Sequence, residues 1–311
     1  MQSIKDKAKF LIGWPLSIVA ILFIINYLAS KSSEISGHID SINIHFLALS
    51  FLILVIFWFL RGLLWKFLID GKENKISLID NAYLLEASEI KRFVPGNIWA
   101  FLGRGVLFSK RGLSMDYIAK NILLEIELFI LGGLFVSSFS IPWILTSDDK
   151  LLIRLSEILP FSLLLALIYF LVITAVFKRR YFKNKSYPSL LILPGLSIIK
   201  KVKLVLLSCL MFSVFGIGNY LILLSLMPVF SLQNAIELSA FFVFSFMVGY
   251  LSFITPMGLG VREGVVTLGL LKISNLTFAT FFAIFSRVIL IISELTYLCV
   301  VYIIFKVKQN K

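Results

Sequence analysis

Arg92-Phe93-Val94-Pro95-Gly96-Asn97, with Arg104 shortly after it, and Thr255-Pro256-Met257-Gly258-Leu259-Gly260-Val261-Arg262-Glu263 are the two stretches on which the fold turns. Each sets helix-breaking Pro and Gly beside ionised side chains, in a chain that is 59% hydrophobic and only 15% charged. Hydrocarbon offers no partner to a freed backbone group. Irregular backbone at membrane depth is therefore tolerated only where it is packed in protein or lines a wet cavity. Two such interruptions predict a polar site inside a membrane bundle.

The rest of the chain agrees with that class. A soluble domain carries about 25% charged residues; here the mean hydropathy is +0.97 and there are 30 Phe in 311 residues. A spanning helix needs about 20 apolar residues. Runs of that order lie at 10–30, 44–68, 115–140, 155–177, 203–227 and 275–305. The sequence thus predicts an all-α polytopic membrane helix bundle, 1–311 as one integral membrane domain, with about six full spans. The stretches 77–109 and 234–272 are each split by one of the Pro-Gly segments and read as broken hairpins, although the arm 234–254 is long enough to be read as a full span too.

At the N-terminus Lys5, Lys7 and Lys9 precede an apolar run that reaches Leu28. A cleavable signal has an apolar region of about 7–15 residues, so an uncleaved anchor is expected. The formal charge of +13 does not imply nucleic acid, because the basic residues flank apolar spans, where they set orientation and meet anionic lipid. Cys209 and Cys299 lie within apolar runs and read as packing residues. His38 and His45 sit near one loop, which argues against a histidine metal centre or a Ser-His-Asp triad. No cofactor, metal or catalytic residue is expected, and no soluble nucleotide-dependent module.

Loop charges set the topology. With a cytoplasmic N-terminus, one side holds Lys5, Lys7, Lys9, Lys66, Lys72, Lys75, Lys110, Arg111, the basic cluster between Lys178 and Lys203, and Lys306, Lys308 and Lys311. The other holds only Lys31, Lys150, Arg154 and Lys272. This is the asymmetry of the positive-inside rule; both termini fall in the cytoplasm. The first hairpin then opens from the cytoplasmic side and the second from the outside. The order span, broken hairpin, span occurs twice, over 44–140 and 203–305, and predicts an inverted-topology repeat with a site where the broken helices meet.

Several charges fall at apparent membrane depth. A lone charge at the centre of a spanning helix costs about 2.5–3.5 kcal/mol on the lenient insertion scale, so these groups must face inward, pair or be hydrated. Arg61, Lys91, Arg92, Arg104, Lys120, Arg262 and Arg287 are the cations; Glu86, Glu89, Glu125, Glu127, Glu263 and Glu294 the acids. Glu86, Glu89 and Arg92 fall on one stripe at i,i+3 spacing. Glu125 and Glu127 lie about 200° apart around a helix, so only one can face a common site, and the spacing from Pro95 favours Glu125. Arg287 and Glu294, two turns apart, each need a partner elsewhere. Arg262 and Glu263 open the helix after Gly260, where free N–H groups favour an anion, either the Glu263 carboxylate itself or a phosphate held with Arg262. The substrate-binding set is therefore Arg92, Arg104, Glu125, Arg262, Glu263, Arg287 and Glu294, with Pro95, Gly96, Pro256, Gly258 and Gly260 as the helix breaks. Trp14, Trp65 and Trp143, near span ends, read as interfacial anchors.

Lys91-Arg92-Phe93-Val94-Pro95-Gly96-Asn97-Ile98-Trp99 with Gly103-Arg104, and Pro256-Met257-Gly258-Leu259-Gly260-Val261-Arg262-Glu263 with Arg287 and Glu294, resemble the two signatures of the flippase-like membrane family. That family is named after the transmembrane region of lysylphosphatidylglycerol synthase (the multiple peptide resistance factor) and includes the membrane part of the archaeal glycosyltransferase AglD. Met257 stands where the second signature usually has Gly. The resemblance implies movement of a lipid between leaflets. Expected partners are membrane lipids, anionic or phosphate-bearing, including isoprenoid-linked glycolipids; synthesis of an aminoacyl lipid is not implied. The alternatives are an intramembrane glycosyltransferase acting on a lipid-linked sugar, and an accessory subunit that recruits a glycosyltransferase or other membrane partner in a cell-envelope polysaccharide pathway.

Overall fold

A computed structural model describes residues 41–70, 76–93, 99–145, 198–227, 232–252 and 258–310, with isolated positions before residue 41. The chain is all-α over these residues. In order they form α1 (Ile44–Ile69), α2 (Leu78–Glu89) with a 3-10 turn (Ile90–Phe93), α3 (Trp99–Ser109), α4 (Met115–Ser137) with a 3-10 turn (Ser138–Ser140), and α5 (Ile141–Leu145). Then follow α6 (Ile198–Leu226), α7 (Leu232–Leu251), α8 (Val261–Leu270) and α9 (Leu276–Gln309). Among the described residues, four helices are long and apolar enough to cross a membrane: Ile44–Ile69, Met115–Ser140, Ile199–Leu226 and Leu276–Gln309. The chain is a multi-pass membrane protein. These are four of the six expected spans; those at 10–30 and 155–177 lie outside the described residues, as does the basic loop up to residue 197.

Local chemistry fixes the helix ends. The Asn43 side-chain oxygen accepts from His45 N at 3.1 Å, Ser77 caps α2 through Asp80 N, Ser114 caps α4 through Tyr117 N, and Asn275 caps α9 through Phe278 N at 2.8 Å. Such caps satisfy N–H groups that the first turn leaves open. Lys306 and Lys308 close α9, where cations suit the negative end of the helix. Leu49, Leu52, Ile56 and Phe59 form an exposed apolar stripe on α1, at the three- and four-residue spacing of one helix face. Water would disfavour that stripe; lipid suits it.

The core lies between α1, α4, α6, α7 and α9. Pairs in contact are α1–α6, α1–α2, α6–α7, α2–α3, α7–α8, α3–α4, α8–α9, α4–α6, α1–α9, α4–α7, α2–α9, α1–α4 and α6–α9. Glycines stand where helices cross closely: a methyl group on Gly132 would meet Ser208 of α6, and one on Gly133 would meet Met247 of α7. Small residues at crossings are how membrane helices gain van der Waals contact without a hydrophobic driving force.

Side-chain contacts sort the helix ends into two sets. At one end of the bundle the Tyr117 hydroxyl, near the start of α4, donates to Ile69 O at the end of α1 (3.0 Å). Lys308 of α9 donates to Ser77 Oγ before α2 (2.7 Å), and Arg111, in the turn after α3, lies over the Phe305 ring. At the other end Asn43 N donates to Ser225 O of α6 (2.8 Å), and Lys272, after α8, donates to Trp143 O (3.3 Å). The broken hairpin α2–α3 therefore begins and ends at the first end, while α8 returns to the second.

Candidate functional site

The first broken hairpin closes on a buried ionic network. Arg104 of α3 is 0% exposed and donates with one terminal nitrogen to Glu125 of α4 and with the other to Glu89 of α2. The second oxygen of Glu89 pairs with Arg61 of α1 at 2.8 Å. One guanidinium thus ties two carboxylates, and one carboxylate ties two guanidiniums, across four helices. The planar fork of Arg suits this bridging, which a single ammonium cannot reproduce. Glu86, one turn before Glu89, is also buried, and Lys91 lies across Gly103, where a methyl group would fall 2.7 Å from its side chain.

Aromatic rings seal the network. Arg104 stacks on Trp65 at 4.3 Å, and Arg61 lies 5.7 Å from the Trp58 ring and 5.8 Å from Phe129. Trp58 is itself held by an indole N–H bond to Ser293 Oγ of α9 (3.0 Å). Trp65 is fully buried, which corrects its reading as an interfacial anchor: in sequence it stands near the end of α1, but its face turns inward onto a cation. Trp143 is also buried, with the Lys272 ammonium 4.2 Å from its ring. Trp14 lies outside the described residues.

The second broken hairpin makes a different arrangement. Gly258 and Gly260 have φ of 65° and 84°, the left-handed region open to glycine at little cost. At Gly258 a side chain is excluded twice over, since a methyl group would also fall within 2.7 Å of the Gly249 Cα atom. This close approach returns the chain into α8. Glu263 then satisfies the helix start itself: its carboxylate accepts from Gly260 N at 2.8 Å, and its other oxygen pairs with Arg287 of α9. The Gly260 amide of this helix start is thus occupied by the protein's own carboxylate.

Arg262 stands apart. It is 6% exposed, yet among the described residues no carboxylate pairs with it. Its one hydrogen bond among these residues is to the Asn219 side-chain oxygen of α6, at 3.3 Å, and its guanidinium lies 5.4 Å from the Phe215 ring and 5.9 Å from Phe246. An isolated ion at such burial is unfavourable, by about 2.5–3.5 kcal/mol for Arg at the centre of an inserted helix.

Helix rise sets how far these groups lie from the helix ends. Glu125 is ten residues into α4 and Arg287 eleven into α9, roughly 15 and 17 Å along helices that rise 1.5 Å per residue. Both therefore stand well inside helices long and apolar enough to cross a membrane, not at their ends. A file of rings connects the two hairpins: Arg61 touches Phe129, which meets Tyr250 at 5.9 Å; Tyr250 stacks on Phe246 at 6.2 Å, and Phe246 reaches Arg262.

The expected residues are therefore sorted into two groups. Arg104 and Glu125 join one; Arg262, Glu263, Arg287, Gly258 and Gly260 form the other. Glu294 is buried two turns beyond Arg287 on α9. The Arg92 side chain and residues Pro95, Gly96 and Pro256 lie outside the described set. Glu127 points away from the Arg104 network, as the 200° separation required, and is buried elsewhere on α4. Three participants were absent from the expected set: Arg61, Glu89 and Asn219. Arg61 and Asn219 carried a signal, each being a strongly polar residue inside an otherwise apolar run; Glu89 was on the stripe read with Arg92. No group of three His, Cys, Asp or Glu placed to hold a metal ion occurs among the described residues. No protein-family model matches the chain, and no curated protein matches it.

Proposed function

We propose that the protein is a lipid transporter of the cell membrane, moving a phospholipid or an isoprenoid-linked glycolipid between leaflets, and that it is built as an inverted repeat of 44–140 and 203–305. The observation that carries this reading is an exchange symmetry in the packing. Replacing α1, α2, α3 and α4 by α6, α7, α8 and α9, and the reverse, turns α4–α6 into α9–α1 and α4–α7 into α9–α2. Likewise α1–α2, α2–α3, α3–α4 and α1–α4 become α6–α7, α7–α8, α8–α9 and α6–α9, and every one of these pairs is in contact. Two units that share a packing plan, with broken helices and ions near mid-depth, are the common build of alternating-access transporters.

The ion pairs follow the same exchange with their charges reversed. Arg104 of α3 pairs with Glu125 of α4, and Glu263 of α8 pairs with Arg287 of α9. In this reading the head group crosses among the hairpin charges while the chains stay in lipid. The helix ends bearing Lys66, Arg111 and Lys308 face the cytoplasm, as do both termini. The likeness of both motifs to the flippase-like family points to the same activity. The glycosyltransferase and accessory-subunit readings have no observation of their own in their favour.

The test is leaflet exchange in vesicles. Full-length protein is reconstituted with fluorescent phosphatidylglycerol, and an impermeant reductant bleaches the outer leaflet. Transport predicts bleaching beyond the half seen in protein-free vesicles, lost on Arg262→Gln or Glu294→Gln with insertion intact. No excess bleaching with any phospholipid or polyprenyl-phosphate sugar tried, or a new glycan product, would reject it.

A further inference from the structure

We infer that Arg262 is the contact for the phosphate oxyanion of the transported head group, and that Arg61, Arg104 and Arg287 are not. The inference rests on the transport reading and narrows it to one residue and one chemical group. Arg61, Arg104 and Arg287 each hold a carboxylate of the protein, which already offsets their charge and would repel a phosphate brought beside it. The α8 amide at Gly260 is likewise taken by Glu263.

Among the described residues Arg262 has none of these commitments. Among the described residues its single hydrogen bond, to a neutral amide at 3.3 Å, is just beyond the usual N–H···O range of about 2.7–3.2 Å, and a guanidinium has five N–H groups in a planar fork suited to two phosphate oxygens. The Phe215 and Phe246 rings lie against the guanidinium, so its remaining need is for an anion. Burial limits the competition from water, and Gly249 beneath it, where a methyl group would stand 3.0 Å from the Arg262 Cβ, fixes the stem of the side chain. The ligand class is therefore a phosphodiester or phosphomonoester, from a lipid head group or as free phosphate.

The experiment uses the purified full chain in detergent, titrated with dihexanoyl phosphatidylglycerol, with uncharged dihexanoylglycerol and with inorganic phosphate, and read by tryptophan emission. The phospholipid is expected to bind, and dihexanoylglycerol to bind at least tenfold more weakly. Phosphate competing at similar concentration assigns the site to the free anion; phosphate without effect assigns it to the lipid; both keep the oxyanion at Arg262. Arg262→Gln should weaken phospholipid binding at least tenfold. Because that variant removes a buried group, Asn219→Asp provides the second arm, setting a carboxylate where Arg262 now has an amide. Asn219→Asp should melt at or above the wild-type temperature and also lose binding at least tenfold. Unchanged phospholipid binding in Asn219→Asp, or its melting below wild type, overturns the assignment. Leaflet exchange is measured on the same variants: exchange that survives while binding at Arg262 fails refutes the contact and leaves transport standing, whereas binding with no exchange refutes transport and leaves the contact.

Discussion

Replacing Arg104 with Gln should be among the most damaging single changes in the protein, and its size can be worked from the ion network. The guanidinium is fully buried and serves two acids, Glu125 and Glu89. Glu89 would keep Arg61 at 2.8 Å, but Glu125 would lose the one cation that the network gives it. Stranding a buried charge by removing its partner costs about 3–5 kcal/mol. Glu125→Gln should cost less, about 1.5–3 kcal/mol, since Arg104 keeps Glu89 and loses one charge-assisted bond. The double variant strands nothing at that position. It should cost less than the sum of the singles by a coupling energy of up to about 3 kcal/mol. Arg104→Lys should recover little, because one ammonium does not span both acids. Equilibrium unfolding in mixed micelles, read by circular dichroism, measures all four. A cost below about 1 kcal/mol for Arg104→Gln, or simple additivity in the cycle, would show that these groups do not form the network described.

Gly258→Ala should destabilise the protein by about 1–3 kcal/mol, from a left-handed alanine pressed on Gly249, whereas Gly264→Ala, exposed in α8 with nothing within 4 Å, should stabilise it by about 0.5–1 kcal/mol; thermal melting compares them. Glu263→Gln keeps an acceptor for Gly260 N but loses the Arg287 ion pair, and Glu263→Ala loses both, so the alanine variant should melt lower, with a further cost of about 1 kcal/mol for the cap. Trp65→Ala should cost about 3–5 kcal/mol as a large-to-small change in the core; an interfacial anchor would give far less. With Cys209 and Cys299 replaced, cysteines at Lys110 and Lys272 should react with an impermeant thiol reagent from opposite sides of oriented vesicles. Labelling of both from one side would remove the inverted arrangement of the hairpins.

Much of the architecture was legible because membrane helices announce themselves by length. Runs read at 44–68, 115–140, 203–227 and 275–305 became helices close to those limits. The division of each interrupted stretch was also legible: 77–109 and 234–272 each hold two separate helices, as Pro and Gly set together inside an apolar run imply. Pairing was harder. Helical spacing placed Glu125 and Glu127 on different faces, but nothing in spacing says which helix a face will meet, so the link from Arg104 through Glu89 to Arg61 needed the fold. Trp65 shows the same limit from the other side: position along a helix suggested the interface, whereas rotation about the axis put the ring on Arg104.

That stacked ring has a practical side. Trp65 is held dry against a cation at 4.3 Å, and Trp58 sits over the neighbouring arginine, so two of the chain's five tryptophans are native optical probes of the ionic network. A motion that draws α3 off α1 would strip the guanidinium from the indole and admit water, shifting its emission to longer wavelength. The protein thus carries its own reporter for any separation of α3 from α1, readable without attaching a dye.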